Sequence, residues 1–171
     1  VSRYPSFLKL AKERFPDMDA AAIYDWIGIN GIVEDGAGIT KQKFHDAPLA
    51  DYIVNDYLVN NVPSVLFIHF GTTDTKGHLE GYGSEAHLEQ ITATDGYIGR
   101  IYDKLEELGM SATFFVVGNR IDSYKDTVKH TYKMGCELAN HSYSHPILTG
   151  LIRENRHTPC GSMPVLLKQY F

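Results

Sequence analysis

The chain has 171 residues, 43% hydrophobic and 22% charged, enough for one substantial core and a squeeze for two full domains. Its 16 basic residues face 21 acidic ones, a net charge of −5 with no basic cluster, which argues against a nucleic-acid partner. No apolar run approaches membrane-spanning length.

In chain order, residues 1–15 predict an amphipathic helix, with Pro5 and Ser6 at its start and Phe7, Leu8, Leu10, Ala11 and Phe15 as an apolar stripe. Pro16 and Asp17 break it. Ala20 to Tyr24 predict a short buried strand, and Gly31, Gly36 and Gly38 mark residues 30–39 as loop. Asp46 to Asn60 predict a helix, turning Leu49, Ile53 and Leu58 toward a core, and Pro63 separates it from the next strand. That strand is the dense apolar run Val65-Leu66-Phe67-Ile68, with a β-branched residue at each end. From Glu85, apolar residues recur at helical spacing up to Gly109, with Ser84 as a cap. Ala112 to Val117 form a second strand-like run, residues 122–134 a polar helix, and Cys136 to Ala139 a short strand. The tail over 151–171 is loop-like to Gly161, with Pro164 to Leu167 as a last strand. Strands alternating with helices predict an α/β fold, a mostly parallel sheet with helices on both faces, in a single domain.

Two features at the ends of the chain bear on its setting. VSRYPSF has neither an initiator Met nor a signal peptide's apolar centre, so Val1 reads as a processed, trimmed or interior start. Cys136 and Cys160 suffice for one bridge but not for a disulfide framework, and the compartment stays open.

The candidate chemistry gathers just past the predicted strands. A helical turn after Val65–Ile68 would put Asp74 and His78, four positions apart, on one side, as half of a divalent-metal site. His141 and His145 repeat that spacing beyond another short strand, ahead of Pro146, and two imidazoles so placed suit zinc or a similar cation. His157, beside Cys160, is either a solvated side chain or a third ligand for Asp74 and His78. Other residues fit plainer roles: His69 as a strand residue with its nitrogen hydrogen-bonded, Glu34 and Asp35 as solvated loop acids, and the 11 Tyr and 8 Phe as packing. FHDAP at 44–48 carries an Asp, but nothing flanking it looks like a strand exit.

The stretch VLFIHFGTTDTKGHLEGYGSEAHLEQITATDGYIGRIYDKL resembles the type I phosphodiesterase/nucleotide pyrophosphatase branch of the alkaline phosphatase superfamily, and the likeness extends from Tyr4 through Leu108. It implies that Asp74 and His78, in DxxGHxxG, bind a zinc that activates a nucleophile. RHTPCGSMPVLL is a loose match to the segment whose histidine completes that site, which makes His157 the candidate third ligand. The family's nucleophile segment and its SDHG-like second-zinc motif have no counterpart here, and Thr72 and Thr73 do not inherit the nucleophile's role.

From Ser111 the resemblance changes. SATFFVVGNRI followed by GCELANHSYSHPILTG is similar to the NodB-type polysaccharide deacetylases, whose fold is a distorted (β/α) barrel. There the two histidines of HxxxH bind a divalent metal with an Asp from a TFDDGP-like motif; His141 and His145 match, and the TFDDGP segment is missing. Three explanations stand: a chimera joined near 109–111, a fragment of a larger enzyme, or one family whose other match is a shared local pattern. The favoured reading is a metal-dependent hydrolase of phosphate esters or nucleotides that uses zinc or another divalent cation, since that likeness spans the longer stretch. The alternatives are a deacetylase of acetylated glycans, with His141 and His145 as ligands, and a non-catalytic fragment with incomplete metal sites.

Overall fold

The computed structural model describes residues 4–144. The chain is α/β and parts between Lys104 and Leu105 into two compact units.

The first unit is built on a three-stranded parallel sheet. Helix α1 (Phe7–Arg14) leads into strand β1 (Ala20–Tyr24), followed by a short 3₁₀ turn (Ile27–Gly31) and strand β2 (Thr40–Lys43). Helix α2 (Asp46–Tyr52) continues through a π-helical turn (Ile53–Tyr57) into α3 (Leu58–Asn60), and β3 (Val65–His69) follows. Helix α4 (Thr72–Glu80) and all but the last three residues of α5 (Glu85–Glu107) complete the unit's order. The strand order is β2-β1-β3, with β1 central and parallel to both neighbours. All five residues of β1 are buried, as expected of a parallel strand covered on both faces. On one face Ala20, Ala22 and Tyr24 pack with Leu8, Ile29 and Val33. The alternate residues Ala21 and Ile23 are equally buried on the other.

Strand β2 corrects the sequence reading, which ended a loop at residue 39 and passed straight to the helix. Its residues, Thr-Lys-Gln-Lys, lack an apolar pattern because β2 is an edge strand, where charged side chains are favoured. FHDAP therefore does follow a strand exit. The acids of the glycine loop are also engaged: Glu34 accepts from the Ser6 backbone N–H at 2.8 Å and from the Ser6 hydroxyl at 2.5 Å, and Asp35 pairs with Lys41 at 2.7 Å. The Ser6 hydroxyl and N–H hold the Glu34 carboxyl below its ordinary value. A depressed folded-state pKa contributes stability that is fully present above the unfolded value, 4.5, and is lost as pH falls through the folded one. Glu34→Gln should therefore melt below the parent at neutral pH, and the gap should close as the pH drops below 4.5. Thermal melts across that range check it, and a gap independent of pH would count against the Ser6–Glu34 contact.

The apolar row of α5 is less buried than its helical spacing suggests. Ile101 is covered, whereas Leu88, Ile91 and Ile98 are exposed. The helix meets the rest of its unit through polar and ring contacts: Arg100 with Asp51 at 2.6 Å, Thr94 with Thr73 at 3.0 Å, and Tyr97 against Phe70.

In the second unit β4 (Thr113–Val116) pairs in parallel with β5 (Glu137–Asn140). Between them run a 3₁₀ segment (Gly118–Tyr124) and helix α6 (Lys125–Lys133), with Ile121, Val128 and Cys136 buried. The predicted strand at 164–167 and the Cys160 partner of a Cys136 bridge lie outside the described residues.

Candidate functional site

The strand-to-helix step that carries Asp74 and His78 forms as expected. Strand β3 ends at His69, and α4 begins at Thr72, so the two side chains rise on consecutive turns, with His78 Nε2 3.6 Å from Asp74 Oδ2. Both are largely exposed. Tyr82 ties them together: its hydroxyl donates to Asp74 Oδ1 at 2.9 Å, and its ring lies edge-on to His78 with centroids 5.4 Å apart. The hydrogen bond to Asp74 raises the Tyr82 phenol above its ordinary pKa. Gly77 makes room for that ring, because a Cβ there would lie 2.4 Å from Tyr82 Cε1. Gly81 ends α4 at φ 93°, a conformation that a side chain would strain. The glycines of DxxGHxxG thus have a local structural purpose: one admits the tyrosine that holds the aspartate, the other stops the helix.

A second group was missed in the sequence. Asp25 follows β1, and its Oδ1 lies 3.0 Å from His45 Nδ1 and 3.9 Å from Lys43 Nζ. Asp46, also passed over, is buried, and its two oxygens accept the backbone N–H groups of Gly71 at 2.9 Å and Thr72 at 3.1 Å. It therefore fastens the start of α4 to the start of α2. The signal was available in FHDAP, but only β2 turns that segment into a strand exit. His69 also departs from expectation: its Nδ1 is buried without a hydrogen-bond partner among the described residues.

In the second unit, His141 directly follows β5, and its backbone N–H donates to Val116 O at 3.0 Å. Gly118 and Asn119 donate to the carbonyls of Ser142 and Tyr143, fastening the loop after β5 to the loop after β4. Ser142 sits at φ 63°, and its N–H is held by the Asn140 side chain at 2.7 Å. His145 and His157 lie outside the described residues.

A carboxylate oxygen and an imidazole nitrogen are suitable donors for a divalent cation, so Asp74 and His78 fit as two ligands of one. Among the described residues no third His, Cys, Asp or Glu joins them.

Comparison with known proteins gives these sites their context. The family model for type I phosphodiesterase/nucleotide pyrophosphatase matches residues 13–119, more than half of the chain. The chain belongs to this family. A polysaccharide deacetylase model matches residues 90–159, so both resemblances stand, and the two matches share 90–119, across much of α5 and all of β4. The curated relatives include a bifunctional xylanase/deacetylase of Pseudobutyrivibrio xylanivorans, 33% identical over 50% of this chain and 15% of its own length. A peptidoglycan-N-acetylmuramic acid deacetylase of Bacillus subtilis is 46% identical over 30% of this chain and 11% of its own. A chitooligosaccharide deacetylase of Rhizobium leguminosarum bv. trifolii is 37% identical over 39% of this chain and 33% of its own. The chain thus spans a third or less of the length of these relatives. No solved structure matches it. The matches support a hydrolase, and the relatives favour the deacetylase alternative over the phosphodiesterase reading. No described helix is long and apolar enough to cross a membrane.

Proposed function

We propose that the chain is a segment of a metal-dependent hydrolase, and that its part from Ser111 onward belongs to the deacetylation of an acetylated glycan. The observation that carries this reading is the match of a polysaccharide deacetylase model over 90–159, together with relatives named as deacetylases of peptidoglycan and chitooligosaccharide. His141, at the exit of β5, and His145 are the proposed metal ligands. A divalent cation held there would polarise the acetamide carbonyl and activate water. The loop bonds from Gly118 and Asn119 orient the backbone on which His141 is carried. The carboxylate that would take the proton is not among the residues assigned, so the chain by itself is expected to bind metal and to turn over slowly.

A second reading is favoured by the family match over 13–119 and the Asp74–His78 pair: phosphate-ester hydrolysis, with zinc held by Asp74, His78 and His157. A cation there would act as a Lewis acid on a phosphoryl group. Tyr82 would orient Asp74 from behind, leaving Oδ2 for the metal.

Metal content and activity of the full chain separate the two. Under the deacetylase reading His141→Ala loses bound metal and any release of acetate from a chito-oligosaccharide, whereas Asp74→Ala keeps both. Retention of metal and acetate release by His141→Ala sinks that reading. Metal loss in Asp74→Ala, with hydrolysis of bis(p-nitrophenyl) phosphate by the parent, supports the second. Absence of metal from every preparation points to a non-catalytic fragment.

A further inference from the structure

Three strand exits meet at one edge of the first sheet. Asp25 N–H donates to His69 O at 3.0 Å and Phe44 N–H to Tyr24 O at 3.0 Å, so the exits of β1, β2 and β3 are bonded together. In the order β2-β1-β3 the chain leaves β1 toward β2 and later returns to β3 on the other side. The exits of β1 and β3 therefore flank a topological switch point, where parallel α/β sheets bind their ligands. Asp25 occupies one side of it and Gly71 the other.

The side chains at this edge have a definite arrangement. The Asp25 side chain is only 12% exposed, while that of His45 is 84% exposed, and they meet through Oδ1 and Nδ1 at 3.0 Å. A carboxylate that engages Nδ1 selects the Nδ1–H tautomer and leaves the Nε2 lone pair facing outward, the state in which an imidazole accepts a proton. Gly71 is shaped to this carboxylate, since a Cβ there would lie 2.8 Å from Asp25 Oδ2. Asp46, next to His45, holds the N–H groups of Gly71 and Thr72, so the segment bearing His45 is fastened to the start of the helix bearing Asp74.

We propose that His45 is a proton-accepting catalytic residue of the first unit, acting on water or a hydroxyl that attacks a phosphate ester, with Asp25 as its positioning residue. The inference rests on the phosphate-ester reading. As the attacking oxygen bonds to phosphorus, its proton passes to His45 Nε2; the ester P–O bond breaks, and the proton leaves with the departing oxygen. Lys43, 3.9 Å from Asp25 Oδ1, balances the carboxylate's charge and presents a cation on the same edge to the phosphoryl group.

Two measurements on the full chain test it. Nitrogen-15 NMR of the histidine rings is expected to show His45 as the Nδ1–H tautomer in the parent and to lose that preference in Asp25→Asn. His45 Nε2 is also expected to shift saturably when inorganic phosphate or phenyl phosphate is added. An Nε2–H tautomer, indifference to Asp25→Asn, or no response to either phosphate overturns the inference. In hydrolysis of bis(p-nitrophenyl) phosphate, His45→Gln should lower kcat by about 10²-fold with little change in KM, the scale of general base catalysis. A His45→Gln chain as fast as the parent overturns the inference while leaving the phosphate-ester reading intact if Asp74→Ala is inactive. A parent without hydrolysis sinks that reading and this catalytic role together, whereas loss in both variants supports them.

Discussion

Asp46→Ala should destabilise the first unit by about 3 kcal/mol, because a hydrogen bond to a charged group contributes about 1.5–3 kcal/mol and the substitution removes two. Both acceptors are oxygens of one buried carboxylate, bonded to Gly71 and Thr72. Alanine leaves those N–H groups unpaired at a buried junction, and water entering beside Thr72 offsets only part of the cost. With a urea m-value of about 2 kcal/mol/M, the unfolding midpoint should fall by roughly 1.5 M. Asp46→Asn keeps one carbonyl oxygen and should cost about half as much. Urea melts of the three chains check the series. An alanine variant within about 0.5 kcal/mol of the parent would show that the bond pair is not what joins α2 to α4.

Gly77→Ala should separate stability from metal binding. Alanine is favoured over glycine inside a helix by about 1 kcal/mol, so α4 itself gains. Against this, the new Cβ would lie 2.4 Å from the Tyr82 ring, which must move. Tyr82 is 63% exposed, so the ring can swing into solvent without opening a core cavity, and the melting temperature should barely change. What is lost is the hydroxyl's hold on Asp74. Groups that orient a metal ligand are worth about 10- to 100-fold in affinity; under the phosphate-ester reading, in which Asp74 holds the zinc, zinc retention should fall by that factor in Gly77→Ala and similarly in Tyr82→Phe. Competition with a chromophoric chelator measures it. Unchanged affinity in both variants would argue that Asp74 does not ligate the cation.

Much of the fold and one of the site pairs could be read along the chain, because the relevant physics is local. β-Branched and apolar runs at 20–24, 65–68 and 112–117 specify strands, Ser6 caps α1 through its bond to the Lys9 N–H, and i,i+4 spacing brings Asp74 and His78 to one side of α4. Both family resemblances were also legible in the sequence by itself, since motifs are strings of neighbours, although the two matches share residues 90–119.

Tertiary structure alone decided the rest. β2 carries no apolar signal and exists through its pairing with β1, and only that pairing puts His45 beside Asp25. Asp46 gains its purpose from Gly71, 25 positions away, and Glu34 from Ser6, 28 positions away. Tyr82 is an unremarkable aromatic until the missing side chain of Gly77 shows what the helix surface leaves room for. Local propensity depends on a residue and its near neighbours; a carboxylate's partner depends on which strand exits the sheet order brings together, and that is a property of the folded sheet.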